Sequence, residues 1–228
     1  MRIGSIVTLA VFSGVILAGC AGSLLPKSPP MQYHQLDYTY RKVDVPCRAL
    51  SNRIIKVWPF HATSPFDSSE MVVEDSKLNV MLSRTHQWID KPGALLAEWI
   101  RKDIDRDGVF AGAFETIEVS REVGMELSGV VEKWSLVKSA DSYSAKMAVT
   151  ITVWQKQPRP EIIFKKHFAL EEPVHGSAKD PEAFAQAMSR LASRISEDLR
   201  KEFYHRINEK FCPETNAGLR SERRRTEP

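Results

Sequence analysis

Catalytic signatures are what this sequence most plainly lacks. It has no GxSxG elbow to present a nucleophilic serine, no HExxH helix to hold zinc, no CxxC pair and no glycine-rich phosphate loop. The six histidines are scattered, and His167 and His175 fall in an expected strand and loop without metal-ligand spacing. These absences exclude the motif-bearing hydrolases, zinc enzymes, dithiol oxidoreductases and P-loop ATPases. The chain reads as a non-enzyme with no metal and no cofactor. An excess of one charge is also missing: 32 Lys and Arg stand against 29 Asp and Glu, a formal net charge of +3. A dedicated nucleic-acid binder needs a concentrated basic surplus, so nucleic acid is not an expected partner. Cysteine is scarce, three in 228 residues, which rules out a disulfide-built scaffold. At 43% hydrophobic and 27% charged, the rest is ordinary globular composition, enough for one domain plus extensions.

The one long apolar run lies at the N-terminus, MRIGSIVTLAVFSGVILAGC. Arg2 gives it a positive start, and Ile6 to Ala18 is apolar apart from small or hydroxyl residues. That is a secretory signal over 1–19, too short for a comfortable membrane span. Leu17-Ala18-Gly19-Cys20 resembles the bacterial lipobox. The resemblance implies cleavage between Gly19 and Cys20, with diacylglycerol and an N-acyl chain on Cys20. The alternative is an ordinary signal peptide with an incidental cysteine. Two or three acyl chains hold a membrane far better than one, so the implied anchor is stable. Ala21 in place of aspartate favours the outer membrane. Loss of 1–19 removes Arg2 and lowers the net charge from +3 to +2. Export to an oxidising compartment makes Cys47 and Cys212 a candidate disulfide, with two unpaired thiols as the other reading.

Residues 20–32 are small, polar and proline-bearing, a tether. The domain is expected over 33–212, followed by a disordered basic tail, 213–228, whose Arg223-Arg224-Arg225 run is either solvated or turned to anionic lipid. Strands are expected at Tyr33–Tyr40 and at 53–60, stopped by Pro59, with a hairpin around Glu74–Lys77. Asp90 to Asp107 reads as a helix: Asp90 as cap, Pro92 in the first turn, Leu96, Trp99, Ile100 and Ile104 as one stripe, and Gly108 as the stop. Further strands are expected at 114–119, 125–137, Tyr143–Trp154 and Ile162–Leu170. Tyr143–Trp154 alternates apolar and polar residues along its length. The last helix opens at Asp180-Pro181 with a stripe through Phe184, Met188, Leu191, Ile195, Leu199 and Phe203. This order predicts an α/β (α+β) sandwich, two helices on one face of a mostly antiparallel sheet.

Asp103-Ile104-Asp105-Arg106-Asp107-Gly108 opens like a calcium-binding EF-hand loop. The closing carboxylate belongs at the twelfth position, which is Phe114, and the following FETIEV is β-prone where an exiting helix is required. The pattern therefore reads as a charged helix end.

His86-Gln87-Trp88-Ile89-Asp90-Lys91-Pro92, the helix, and then Asp107-Gly108-Val109-Phe110 form a longer pattern. With the lipobox and tether, it resembles the ABC-type transport auxiliary lipoproteins, which accompany MCE-domain and paraquat-inducible lipid-transport systems. Trp88, Pro92, Gly108 and Phe110 carry the match, while Asp107 replaces the usual small polar residue. The resemblance implies a lipid-anchored accessory subunit on the outer membrane, facing the periplasm. It would dock on an envelope-spanning MCE-domain protein whose permease and ATPase are other chains.

Candidate interface anchors are Trp58 and Phe60 at a strand end, Trp88 before the helix, and Trp154 on the polar side of its strand. Each has a core alternative. Self-association is a further candidate arrangement. Two rival roles share this outline: an outer-membrane assembly lipoprotein that binds a β-barrel of the lipopolysaccharide-assembly type, and a scaffold lipoprotein of a secretion complex.

Overall fold

The computed structural model describes residues 29–45, 49–75, 79–116, 123–139, 142–156, 159–174 and 180–212. Gly19, Cys20, most of the tether, Cys47 and the tail from 213 lie outside the described residues. The elements follow in the order β1 (Gln32–His34), β2 (Ile54–Val57), β3 (His61–Ala62), β4 (Glu70–Asp75), β5 (Val80–Trp88), α1 (Pro92–Asp107), β6 (Gly112–Phe114), β7 (Val123–Lys138), β8 (Tyr143–Gln155), β9 (Glu161–Pro173) and α2 (Pro181–Phe211).

β7 organises the nine-stranded sheet. Along one edge it pairs antiparallel with β8, which pairs antiparallel with β9. Three short parallel strands share the other edge in succession: β2 beside Val123–Leu127, β3 beside Val130–Val131, and β4 beside Ser135–Lys138. Pro59 explains the first break. Trp58 N–H still donates to Leu127 O at 2.9 Å, but proline has no N–H to continue the ladder. Beyond these strands lie β6 next to β2, β5 antiparallel to β4, and β1 parallel to β5. The long pairings are antiparallel, and the short ones along β7 are parallel. The class is α+β, as the order of elements predicts.

Alternation sets the two faces. Ala145, Met147, Val149, Ile151 and Val153 of β8 are buried under the helices. Against that face α2 lays Phe184, Met188, Leu191, Ile195, Leu199 and Phe203, and α1 lays Leu96, Ile100 and Ile104, all buried. Trp88 sits at the centre, edge-on to both Trp134 and Phe184 with ring centroids 5.6 Å apart in each case. Trp99 is only half-buried and packs its ring 4.5 Å from that of Tyr38.

The helix ends follow local chemistry with one shift. Asp180 caps α2, its carboxylate accepting from Glu182 N at 3.0 Å and Ala183 N at 3.2 Å. In α1 the cap position is Lys91, without a side-chain bond, and the Asp90 carboxylate accepts from Lys91 N instead. Pro92 occupies the first turn, where its missing N–H is no loss. Gly108 ends α1 with φ 67°, the left-handed conformation glycine adopts freely.

Two expected strands are shorter than the sequence suggests. The aromatic opening stretch is β only over Gln32–His34. After that the chain leaves the sheet for the helices, Leu36 is buried, and Asp37 N–H donates to Ser189 Oγ at 3.0 Å. The 114–119 stretch gives β6 at Gly112–Phe114, and 117–122 lies outside the described residues.

Candidate functional site

The helices cover one face of the sheet. On the other, the strand register lines up a row of residues across five strands. Phe114 of β6 pairs with Lys56 of β2, Lys56 with Glu126 of β7, Glu126 with Trp154 of β8, and Trp154 with Ile162 of β9. Phe114 is 43% exposed, Trp154 39% and Ile162 45%, with Trp58 (42%) and Val130 (39%) nearby. Exposed large apolar side chains gathered on one face make it a candidate contact surface.

The row is pre-ordered. The Trp58 indole N–H donates to Glu126 Oε2 at 3.2 Å, and Lys56 Nζ lies 3.3 Å from the Trp58 ring centroid. Lys156 Nζ stands 3.2 Å from the same Glu126 oxygen. An aromatic already held in place loses less freedom when a partner covers it. Lys56 and Glu126 stand between Phe114 on one side and Trp154 and Ile162 on the other, so the face combines a central charged pair with flanking apolar side chains. A separate cleft of about 310 Å³ lies between α1 and β2, lined by Val57, Pro59, Ile89, Leu95, Glu98 and Arg101. Farther along the open face the surface turns polar: Thr150 Oγ1 donates to Glu132 Oε1 at 2.6 Å and lies 3.1 Å from His167 Nδ1.

Of the four candidate aromatics, Trp58 and Trp154 lie on this face, while Trp88 and Phe60 belong to the core, at 0% and 6% exposed. Phe60 is wedged between two glycines. A Cβ on Gly129 would come within 2.6 Å of its ring, and one on Gly93 within 2.1 Å of its carbonyl oxygen. Phe114, Ile162 and Val130 complete the surface and were not picked out by the sequence. Alternation alone would put Ile162 on the side of the buried Phe164 and Phe168; a register irregularity between Ile162 and Phe164 turns it to the open face, and Phe114 joins the row only through the β2–β6 register. Cys212 is disulfide-bonded; Cys47, its expected partner, lies outside the described residues, as do Gly19 and Cys20.

The three aspartates of the calcium-like stretch diverge. Asp105 Oδ1 accepts from Ala113 N at 3.0 Å. Asp107, its side chain fully buried, accepts from Arg200 Nη1 at 2.9 and 3.0 Å, from Tyr204 Oη at 2.7 Å and from Tyr40 Oη at 2.6 Å. Asp103 Oδ2 accepts from Tyr38 Oη at 2.9 Å and from Ser196 Oγ at 2.6 Å. These carboxylates serve three separate protein contacts instead of converging on an ion. Burial works to lower the Arg200 pKa, but Asp107 and Asp103 outweigh it and hold it above the usual value. Burial, followed by the Asp103 charge, pushes the Tyr38 phenol up; burial and Asp107 do the same for Tyr204, and take Tyr40 up to about 12. Two helices and the segment after β1 are thereby locked together, an architectural role.

Solved structures that share this fold include two of similar size. One is protein XCC0632 from Xanthomonas campestris, described under the family DUF330, with a TM-score of 0.64 and 12% identity over 78% of this chain and 98% of that one. The other is an uncharacterized protein with a TM-score of 0.59 and 12% identity, over 76% of this chain and 99% of its own. At this identity the likeness establishes the fold alone. No family model matches the sequence, and no curated protein matches it.

Proposed function

We propose that this chain is a lipid-anchored, non-catalytic accessory subunit of an ABC/MCE-type intermembrane lipid transport system. In this reading Cys20 carries the acyl chains, the domain faces the periplasm from the outer membrane, and an envelope-spanning MCE-domain protein docks on the open sheet face. The lipobox supports the anchor. The pattern from Trp88 to Phe110 supports the family of partners. The observation that carries the docking role is the row Phe114–Lys56–Glu126–Trp154–Ile162, whose three apolar members are exposed and which five paired strands hold in register.

Its position also fits. The row crosses β7 at Glu126, while β4 meets β7 at Ser135–Lys138, and β5 and β1 lie beyond β4. Glu126 and Lys138 are about 40 Å apart along the strand. The first strand, β1, is level with about Trp134 of β7, since Gln32 faces His86, Gln87 faces Glu70 and Val72 faces Ser135, so it lies three strands over and about 25 Å along from the docking row. A domain whose first strand lies away from its exposed aromatics leaves those aromatics open to a partner.

Crosslinking in intact cells, followed by affinity purification and mass spectrometry, tests the proposal. Recovery of an MCE-domain protein with its permease and ATPase supports it. Recovery of a β-barrel or a secretion component without any transporter subunit overturns it in favour of that rival.

A further inference from the structure

A second exposed apolar cluster lies far from the docking row. Val80, Met81 and Leu82, consecutive at the start of β5, are 50%, 51% and 48% exposed. A strand that packs one face and wets the other alternates apolar with polar residues; this one is apolar on both. Leu82 lies opposite Val72, and Met81 opposite Val73. Val73 lines a cavity with Leu136 and with Phe184 of α2, so Met81 faces the helix side, and Val80 and Leu82 face away from it. Val72, opposite Leu82, is itself buried, so the uncovered apolar stretch is the start of β5, where Val80, Met81 and Leu82 stay half-exposed on both faces.

The course of the chain points to its occupant. β1 runs parallel to β5, with Gln32 level with His86 and His34 level with Trp88. Gln32, where the tether joins, is therefore the part of β1 nearest the Val80 end. Val80 stands about 20 Å beyond His86 along the strand. Residues 20–31 reach at most about 40 Å when extended. An anchor at Cys20 thus has the length to bring a membrane to the hairpin tip. The carboxylate of Asp75, at the end of β4, is not bare against it, because it accepts from Asn79 N at 3.1 Å and from Asn79 Nδ2 at 2.8 Å.

We infer that Val80–Leu82 seats in the interfacial layer of the membrane that holds the anchor. An apolar element of this kind lies roughly 5–10 Å into the headgroup and acyl boundary. Acyl chains on a tether leave the domain free to tumble; a seated tip fixes its orientation and turns the aromatic row outward. The inference rests on the lipid anchor proposed above.

The test uses the purified full-length lipidated protein in phosphatidylethanolamine–phosphatidylglycerol vesicles. Met81→Cys carries an environment-sensitive NBD probe, and lipids brominated along their acyl chains serve as quenchers. Leu82→Cys reads the opposite face, and Lys165→Cys, exposed on β9, is the control. The mass of the N-terminal peptide reports the anchor separately. The expected result is blue-shifted emission at 81 and 82, quenched several-fold more than at 165. An intact anchor with equal, weak quenching at all three sites overturns the inference and leaves the anchor standing. A blue shift at 81 without lipid quenching, with protein crosslinks there, also overturns it and assigns the tip to a second copy or another protein. An unmodified Cys20 refutes the anchor and, with it, the premise of the inference.

Discussion

Arg200 Nη1 sits within 3.0 Å of both carboxylate oxygens of Asp107, and both side chains are buried. The same guanidinium donates from Nη2 to Arg41 O at 2.9 Å, fastening the segment that leaves β1. Removing one member of a buried pair strands the other charge, at a cost of about 3–5 kcal/mol. Asp107→Ala and Arg200→Leu should each lower stability by that amount, as measured by urea unfolding. Added calcium should leave the midpoint of the wild-type protein unchanged.

Tyr38, Tyr40 and Tyr204 donate to the same two aspartates, and their phenol pKa values are raised. In the unfolded chain tyrosine ionises near pH 10. Above that pH the unfolded state binds fewer protons than the native one, so stability falls as pH rises. Denaturant midpoints should be flat from pH 8 to 9.5 and drop progressively above pH 10. Tyr38→Phe should weaken that alkaline dependence, measured relative to its own value at pH 8.

Two glycines should respond differently to alanine. Gly93→Ala drives a Cβ to 2.1 Å from the Phe60 carbonyl oxygen, so helix α1 must shift. Overpacking of this kind costs about 1–3 kcal/mol. Gly108 has nothing within 4 Å, and only its φ of 67° resists substitution. Gly108→Ala should cost about 1–2 kcal/mol and leave the packing of α1 intact. Near-UV circular dichroism distinguishes them, changing for Gly93→Ala alone.

The parts legible in the sequence were those fixed locally. The alternation from Tyr143 declares β8, the stripes declare both helices, and Asp180 and Gly108 mark their ends. What was not legible depended on distant partners. Tyr38 and Tyr40 look like strand residues, but their hydroxyls find carboxylates on α1, and this draws the chain off the sheet. Trp58 and Phe60 are two apart and would share a face in a continuous strand. Pro59 interrupts the ladder, so Trp58 turns to the open face and Phe60 into the core. The docking row joins residues far apart in sequence through strand registers, parallel from β6 to β7 and antiparallel from β7 to β9, that no local pattern encodes.

The two tryptophan classes separate stability from docking. Trp88→Ala empties a core site beside Trp134 and Phe184 and should cost about 3–5 kcal/mol. Trp154→Ala alters a half-exposed side chain and should change stability by no more than about 0.5 kcal/mol. Thermal unfolding of the two variants checks the contrast, and partner capture from cells should be weakened by Trp154→Ala at normal protein levels.

The most direct measurement of the docking account is site-specific photocrosslinking in living cells. A benzophenone amino acid is placed at Trp154 and Ile162 in the row and, as a control, at Lys201 on the exposed side of α2. The account predicts an adduct with an MCE-domain protein from both row positions and none from Lys201. Adducts from the row with a β-barrel or a secretion component alone, or MCE adducts from Lys201 and not from the row, would contradict it.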